Sequence, residues 1–241
     1  METPLTEDAL LGGRVRLLQP RRGYRVAVDA VLLAATIDAG PQGHILDLGA
    51  GVGAVGLCIA RRVAGCQILG VELQAELALL AGRNAVLNGF GDRIRTIVHD
   101  LAAPLPREIS GFDHVVSNPP YLAAAVADPP PDASKALATV ESSAPLARWL
   151  AVATGAAKPA GTLTIIHRND RVTEIAEHLE RLGWGDLTVK PLAPARRVLV
   201  RARRADKPVR QERPPLVLHR ADGSYTDQAE AILRHAEPLA F

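Results

Sequence analysis

The tetrapeptide Asn118-Pro119-Pro120-Tyr121, which follows the apolar run FDHVVS, has the residue types of a chemical site. The two prolines fix the backbone, and Asn118 is kept out of the helical region because it precedes a proline. We expect a rigid platform that presents the Asn118 amide oxygen and the Pro119 carbonyl beside an aromatic ring. Two such acceptors can hold the N–H bonds of a planar amino group and favour its nucleophilic form without a strong base. The sequence therefore predicts that Asn118, Pro119 and Tyr121 are catalytic, and that Pro120 and Tyr121 contact the substrate.

A glycine-rich segment, ILDLGAGVGAVG, places Gly49, Gly51 and Gly53 where a predicted strand turns into a helix. Glycine lets the backbone approach a ligand without interference from a Cβ atom. Gly49, Gly51 and Ala54 also satisfy the dinucleotide fingerprint G-x-G-x-x-G/A, so this loop alone leaves the ligand open. Glu72, at the end of the next predicted strand, can accept hydrogen bonds from ribose hydroxyls. Together these residues indicate a cofactor that carries a nucleoside.

Asp100 ends a third predicted strand, in the segment TIVHD. Its carboxylate can accept a hydrogen bond from the exocyclic amino group of an adenine. The alternative is that Asp100 caps a turn or a helix.

These residues are positioned by short apolar runs that alternate with helical segments from residue 43 onward. Such an alternation predicts an α/β fold with a Rossmann-like, doubly wound sheet. We expect this sheet to have seven strands, most of them parallel. Ligands of such a sheet bind beyond the carboxyl ends of its strands. The predicted strands span 44–48, 68–72, 94–99, 113–117, 162–167, 187–189 and 198–201, and the predicted helices span 53–63, 74–88, 146–157 and 170–182.

Two extensions flank this core, which we place at residues 43–204. In residues 1–42 the sequence predicts a short Arg-rich extended stretch. A helix follows it, in the segment VDAVLLAATI, and we expect Asp29 to cap this helix. Residues 205–241 predict a linker and a final helix after Tyr225-Thr226. The stretch 123–135, AAAVADPPPDASK, predicts a flexible loop.

Composition excludes several classes of protein. With 48% apolar and 22% charged residues the chain is typical of a globular protein and not of a disordered one. Only 3% is aromatic, which argues against a module that reads nucleic acid by stacking on many rings. No uncharged apolar run approaches the roughly 18 residues of a membrane helix. The N-terminal segment METPLTEDALLGG has three acids and no basic residue, so we expect no signal peptide.

The two cysteines, Cys58 and Cys66, lack a CxxC spacing, so we expect two small buried side chains in a protein of the reducing cytoplasm. The seven histidines lack metal-ligand spacing, and we expect no metal site. Trp149 lies in an apolar helix and is expected in the core. Trp184 precedes a strand and is expected to be half exposed.

The net charge of +2 is unevenly distributed. Residues 14–25 contain five arginines and no acid, and residues 196–213 contain eight basic residues against two acids. Two basic segments flanking an acidic middle indicate an anionic partner such as nucleic acid. A solvated positive face explains the charge alone equally well.

The segments DLGAGVGAVG, GVELQ, VHDL and VSNPPY, in this order and spacing, resemble the motifs of class I S-adenosylmethionine-dependent methyltransferases that act on amino nitrogens. Four further segments, GYRVAVDAVLLAA, GTLTIIHRNDR, RRVLVRARR and PLVLHRADGSYTDQAEAIL, are similar to the bacterial tRNA1(Val) adenine-N(6)-methyltransferase family. The resemblance covers roughly residues 10–235. It implies S-adenosyl-L-methionine as cofactor, a methyltransferase domain over the core, and an adenine immediately 3′ of the anticodon of a valine tRNA as target.

The resemblance also implies roles for single residues. Asp47 and the three loop glycines would line the methionine part of the cofactor, Glu72 its ribose and Asp100 its adenine. Asn118 and Pro119 would hold the target amino group while Tyr121 stacks on the target ring. The implied cofactor contacts are Asp29, Asp47, Gly49, Gly51, Gly53, Glu72, Asp100, Leu101 and Asn118, and the implied substrate contacts are Pro120, Tyr121, Arg22, Arg25, Arg196 and Arg197.

The two basic segments would hold phosphates around the tRNA anticodon loop, once the target base is flipped out of its stack. Arg25 and Asp29 match positions that fold over the cofactor pocket, although Asp29 as a plain helix cap fits equally. The chain departs from the family pattern in the short segment LAPARR and in the 123–135 loop, where Lys135 is the only basic residue.

Other functions remain open at this point. A glutamine side-chain amide is also a planar amino group, so a protein glutamine methyltransferase would suit the same tetrapeptide. Such enzymes usually carry an additional N-terminal helical domain, for which residues 1–42 leave little room. A guanine amino group in rRNA is another possible target. A non-catalytic RNA-binding subunit would be indifferent to replacement of Asn118.

Overall fold

The structure, a computed structural model, describes residues 4–23, 25–123, 140–141, 144–194, 196–205 and 209–241. Its strands are β1 (Leu5–Leu10), β2 (Val15–Pro20), β3 (His44–Leu48), β4 (Gln67–Glu72), β5 (Ile94–Val98), β6 (Phe112–Ser117), β7 (Leu122–Ala123), β8 (Val140–Glu141), β9 (Ala157–Arg168), β10 (Trp184–Ala193), β11 (Arg197–Arg204), β12 (Val209–Glu212) and β13 (Leu216–Val217). Its α-helices are α1 (Val28–Ala35), α2 (Ala54–Arg62), α3 (Ala75–Leu87), α4 (Leu146–Ala156), α5 (Val172–Arg181) and α6 (Asp227–His235).

The centre of the molecule is a sheet in the order β12-β10-β11-β9-β6-β3-β4-β5, with β13 also paired to β10. The five strands from β9 to β5 are parallel, and β11 is antiparallel to both of its neighbours. The predicted α/β class and mostly parallel sheet are therefore confirmed. The sheet has nine strands in the described residues, not seven, because β12 and β13 from the C-terminal segment add to it. All four residues of β12 are exposed, so no apolar pattern marks it in the sequence.

Two apolar clusters cover the two faces of the sheet. One contains Leu32 of α1, Leu57 of α2 and Leu80 of α3, and the other contains Leu150 of α4 and Ile175 of α5. Helices on both faces are what a doubly wound sheet requires, since its parallel strands are buried on both sides.

The predicted helices of the core match α2, α3, α4 and α5 to within a few residues. Strand β10 is longer than predicted, at ten residues where only 187–189 were expected. Its polar members Asp186 and Lys190 interrupt the apolar pattern on which the prediction rested. Trp184 is 1% exposed and its Nε1 donates to Oγ1 of Thr154 at 2.8 Å, so the expectation that it is half exposed was wrong.

The N-terminal segment forms a hairpin of β1 and β2, where a single extended stretch was expected. The hairpin is held against α3 by buried Asn84, whose side chain accepts from the Leu18 N–H at 2.8 Å and donates to the Leu18 carbonyl at 2.9 Å. Asn88 repeats this pattern one helical turn later with the backbone of Arg16. These two amides replace the missing strand partner of β2.

Helix α1 begins at Val28, after Ala27, which makes no side-chain cap. Asp29 is therefore the second residue of the helix, and the prediction that it caps the helix was wrong.

The C-terminal helix was predicted correctly. Thr226 caps α6 by accepting from the Ala229 N–H at 3.2 Å, and Leu239 donates its N–H to the Ala35 carbonyl at 2.8 Å, which ties this segment to the end of α1.

Cys58 and Cys66 are buried free thiols, as expected, and burial raises the pKa of Cys58 to about 12. None of the helices in the described ranges combines the length and apolar character that a membrane crossing demands. The predicted loop at 123–135 lies, apart from its first residue, outside the described residues.

Candidate active site

A cavity opens beyond the carboxyl ends of β3, β4, β5 and β6, where the topology of a doubly wound sheet places ligands. Its wall contains both chemical segments found in the sequence, the glycine loop and the Asn-Pro-Pro-Tyr platform. Of the predicted site residues, those that line the cavity are Gly49, Gly51, Glu72, Asp100, Leu101, Asn118, Pro119, Pro120 and Tyr121.

The remaining predicted site residues do not line the cavity. Asp47 lies on β3, Gly53 is the last glycine of the loop and packs against Ala81 of α3, and Asp29 of α1 contacts the Tyr121 hydroxyl. The arginines predicted to contact substrate, Arg22, Arg25, Arg196 and Arg197, are also absent from the cavity wall.

The glycine loop takes backbone conformations that favour glycine, with φ of +75° at Gly49, +55° at Gly51 and +85° at Gly53. The N–H groups of Gly49 and Ala50 both donate to the Val71 carbonyl, at 2.8 and 3.0 Å. These bonds fold the end of β3 back onto β4 and leave the loop backbone facing the cavity.

Glu72 clamps the glycine loop to the start of the next connection. Its Oε2 accepts from the Gly51 N–H at 2.8 Å and its Oε1 from the Gln74 N–H at 2.9 Å. The residue is 7% exposed, and burial raises the pKa of its carboxyl despite these hydrogen bonds. Remaining lone pairs of both oxygens border the cavity, where they can accept from hydroxyl groups.

Asp47, on β3 beneath the loop, is 2% exposed. Burial, together with the nearby charge of Glu72, raises the pKa of its carboxyl to about 7, and a hydrogen bond from the Gly56 N–H opposes the shift. Its Oδ2 has no hydrogen-bond partner among the described residues. Asp47 therefore contacts the first turn of α2 as a carboxyl that titrates near neutral pH.

Asp100 caps a turn, which was the alternative that its sequence position left open, and it also borders the cavity. Its Oδ1 accepts from the Ala102 N–H at 2.9 Å. Leu101 follows it, 6% exposed, with its carbonyl held by Arg148 Nε at 2.8 Å.

Trp149, expected in the core, packs against the apolar cluster of α4 and α5 and also lines the cavity. Its indole lies over Gly49, and its Nε1 donates to the Ala144 carbonyl at 3.1 Å. The apolar pattern of α4 could not distinguish a side chain packed in the core from one that borders a cavity.

The Asn-Pro-Pro-Tyr platform follows β6, where Ser117 Oγ donates to the Leu48 carbonyl at 2.9 Å and fixes the end of the strand. Pro119 and Pro120 are buried. The Tyr121 hydroxyl donates to Asp29 Oδ2 at 2.9 Å and also contacts the side-chain amide of Asn118. A network of polar side chains thus joins α1 to the platform.

The ring of Tyr121 is already in contact with two side chains. The guanidinium of Arg197 lies 4.2 Å from its centroid, and His167 meets it edge-on at 5.3 Å. Arg197 covers one face of the ring, so a target base could stack only on the other.

The N-terminal basic segment is partly neutralised by its own hairpin. Arg16 pairs with Glu7 at 2.7 Å and Arg25 with Asp8 at 2.6 Å. Arg22, in the turn after β2, is exposed and makes no ion pair within the described residues.

The C-terminal basic segment does not form a single surface at the site. Strand β11 begins with Arg197 beside the platform and runs antiparallel to β9 toward the opposite edge of the sheet. At about 3.3 Å per residue, Arg203 lies roughly 20 Å further along the strand.

Across the described ranges, no group of three or more His, Cys, Asp or Glu residues could hold a metal ion.

The family model for the methyltransferase small domain matches residues 25–166. The chain belongs to the methyltransferase small domain family. A Porphyromonas gingivalis protein named tRNA1(Val) (adenine(37)-N6)-methyltransferase is 30% identical over 231 residues, which cover 89% of this chain and 88% of that protein. A Serratia proteamaculans protein of the same name is 30% identical over 221 residues, or 88% of this chain and 83% of the relative. The resemblance read from the sequence motifs is thereby confirmed.

Solved structures agree on the fold. An Agrobacterium tumefaciens protein described as a predicted O-methyltransferase superposes with a TM-score of 0.70 at 25% identity, over 88% of this chain and 99% of that chain. Geranyl diphosphate C-methyltransferase from Streptomyces coelicolor, in complex with S-adenosyl-L-homocysteine, gives a TM-score of 0.55 at 16% identity over 72% and 78% of the two chains, and shows the fold alone.

This methyltransferase uses S-adenosyl-L-methionine as its cofactor, and its cavity fits that molecule. The glycine loop offers backbone without Cβ atoms, Glu72 offers acceptors for hydroxyl groups, and Asp100 offers an acceptor for an amino group.

Proposed function

We propose that this protein transfers a methyl group from S-adenosyl-L-methionine to the exocyclic N6 of adenine 37 in tRNA1(Val), the reaction in the name of its relatives. The observation that carries the proposal is that Asn118 and Pro119 line the same cavity as the glycine loop and Glu72. An acceptor platform for an amino group and a cofactor site thus share one space.

The bound cofactor supplies an electrophilic methyl group on a positively charged sulfur. Within this chain, Gly49, Gly51, Glu72 and Asp100 would hold it. Asn118 Oδ1 and the Pro119 carbonyl would accept the two N–H bonds of the adenine amino group. This draws the nitrogen lone pair out of conjugation with the ring and orients it, so positioning replaces a strong base.

A stacked anticodon-loop base must be flipped out before its amino group reaches the cavity. The face of the Tyr121 ring opposite Arg197 would receive the adenine ring. Exposed Arg22 lies four residues before Val26, a cavity residue, and could hold backbone phosphate close to the entrance. An enzyme that acts on tRNA works in the cytoplasm, which we propose as its location.

Labelled S-adenosyl-L-methionine tests the proposal with three tRNA substrates: tRNA1(Val), the same transcript with guanosine at position 37, and an unrelated tRNA. Digestion should release labelled N6-methyladenosine from the first substrate alone. A folded protein that binds cofactor but labels no tRNA would refute the proposal. In parallel reactions that offer protein or rRNA in place of tRNA, label in a glutamine amide or in a guanine amino group would indicate the corresponding alternative target.

A further inference from the structure

Asp29, the second residue of α1, connects to the catalytic platform through one hydroxyl group. We propose that Asp29 is a positioning residue that sets, through the Tyr121 hydroxyl, which end of the Asn118 amide faces the substrate. The inference deepens the proposed function, since it concerns how the platform accepts an amino group.

The number of protons in this contact decides the orientation. A tyrosine hydroxyl has one proton to donate, and the Tyr121 hydroxyl lies within hydrogen-bond distance of two acceptors, Asp29 Oδ2 and the side-chain oxygen of Asn118. A carboxylate is the stronger acceptor of the two, so the proton goes to Asp29. The hydroxyl oxygen then offers only lone pairs to Asn118. A half-turn of the amide, which exchanges Oδ1 and Nδ2, supplies the donor that this position requires.

That half-turn leaves Asn118 Oδ1 as the amide atom away from Tyr121. Asn118 lines the cavity, and within the described residues Tyr121 is the only hydrogen-bond partner of its side chain. Its oxygen is therefore available to accept an N–H bond of the target amino group. In the reverse orientation the Asn118 NH2 group would face the amino group of the target adenine. The platform would then keep only the Pro119 carbonyl as an acceptor.

Asp29 is itself held in place. Arg197 Nε lies 3.3 Å from the same Oδ2, and the carboxylate side chain is 15% exposed, so little water competes for it. The Arg197 guanidinium also covers the Tyr121 ring, which His167 meets edge-on. The hydroxyl is thereby aimed at Asp29 by contacts on its ring as well as by its own hydrogen bond.

Without the Asp29 carboxylate, the Tyr121 hydroxyl proton can be donated to Asn118 Oδ1 instead. This would hold the Asn118 amide with its NH2 group, and not its oxygen, toward the substrate. We expect Asp29→Ala to lower kcat about 100-fold, the scale of losing one hydrogen bond at a transition state. Tyr121→Phe removes the hydroxyl and keeps the ring, so it should lower kcat only about tenfold. The double variant loses the misdirected donor as well and should recover to the level of Tyr121→Phe.

This partial rescue separates positioning from a structural role. If Asp29 only stabilised α1, the double variant would be no more active than Asp29→Ala, and that result would overturn the inference. Asp29→Asn keeps an acceptor for Tyr121 and should retain more activity than Asp29→Ala. The dissociation constant of S-adenosyl-L-homocysteine and the KM for tRNA should change by less than about threefold in each variant. The substitutions change the orientation of the Asn118 amide and not the surfaces that bind the cofactor and the tRNA. Tyr225→Phe, far along the chain, is the matched control for loss of a hydroxyl.

Neutron diffraction from deuterated crystals of the wild-type protein tests the inference without a substrate. We expect an amide deuteron of Asn118 directed at the Tyr121 oxygen, and the Tyr121 deuteron directed at Asp29. Amide deuterons directed into the cavity would refute the inference even if tRNA is methylated. A wild-type enzyme that methylates no tRNA would refute the proposed function, while the neutron map would still decide the orientation.

Discussion

Trp149 lies so close over Gly49 that a Cβ atom at Gly49 would be 2.7 Å from Cη2 of the indole and 2.9 Å from Cζ3. The hydrogen bond from Trp149 Nε1 to the Ala144 carbonyl fixes the ring in this place. The first glycine of the loop therefore has two reasons to be glycine: its φ of +75° and the ring above it.

Gly49→Ala should weaken cofactor binding at least about tenfold, because the methyl group must displace the indole that lines the cavity. Gly111→Ala is the control: Gly111 has φ of +80° and open space around its Cβ position, so it carries only the backbone strain of about 1–2 kcal/mol. Calorimetric titration with S-adenosyl-L-homocysteine measures both variants. Equal affinities in the two would show that contact with Trp149 does not matter.

Glu72→Gln should raise the dissociation constant of the cofactor about 5- to 150-fold. Glutamine has one acceptor oxygen, so its NH2 group would face the N–H of either Gly51 or Gln74, and a buried donor left unpaired costs about 1–3 kcal/mol. Exposed Glu76→Gln, in the first turn of α3, is the control for loss of a carboxylate. Unchanged affinity in Glu72→Gln would contradict the clamp described for Glu72.

Asn118→Ala should lower kcat by about 30-fold or more, equivalent to about 2 kcal/mol of transition-state stabilisation, with the cofactor affinity unchanged. Single-turnover methylation of tRNA and calorimetry with S-adenosyl-L-homocysteine measure the two effects separately. A non-catalytic binding protein would show no turnover in either form, and an enzyme that does not use this amide would retain the wild-type rate.

Arg22→Ala should weaken tRNA binding and reduce the slope of log affinity against log salt concentration by about 1, as loss of one phosphate contact does. Arg16→Ala is the control, because Arg16 pairs with Glu7 and has less charge to offer to phosphate. Filter binding over a series of salt concentrations measures both. The same slope for Arg22→Ala and wild type would place the phosphate contacts elsewhere.

The core of the fold and most of the cavity wall could be predicted because they depend on local signals. Apolar runs alternate with helical segments, glycines mark the turn after β3, and prolines mark the platform after β6. Each of these signals acts over a few neighbouring residues, and strand order then follows from general rules for parallel sheets.

What the sequence did not predict depends on contacts between distant segments. Asp29 and Tyr121 are 92 positions apart, and nothing in either segment indicates their hydrogen bond. The basic residues Arg197 to Arg204 are close in sequence, yet β11 carries them across the sheet, while Glu7 and Asp8 neutralise part of the N-terminal cluster. Charge counted along the chain therefore overestimates the positive surface at the site.

Asp47 should make the free energy of unfolding fall as the pH rises from about 4 to about 7. Its pKa of about 7 in the folded protein lies above the ordinary value of 3.8, so over this range the folded state binds the proton more tightly than the unfolded chain does. Stability then decreases as the proton is lost, by at most about 4 kcal/mol at 1.36 kcal/mol per pKa unit, and levels off above pH 7.

Asp47→Asn removes this titration, so the melting temperature of the wild type should fall relative to the variant across that pH range. The variant also places an NH2 group where Oδ2 had no partner, which shifts its stability by a constant amount and leaves the pH dependence unaffected. Exposed Asp38→Asn is the matched control, and its difference from wild type should not grow in the same way. A difference between Asp47→Asn and wild type that stays constant from pH 4 to pH 7 would contradict the raised pKa.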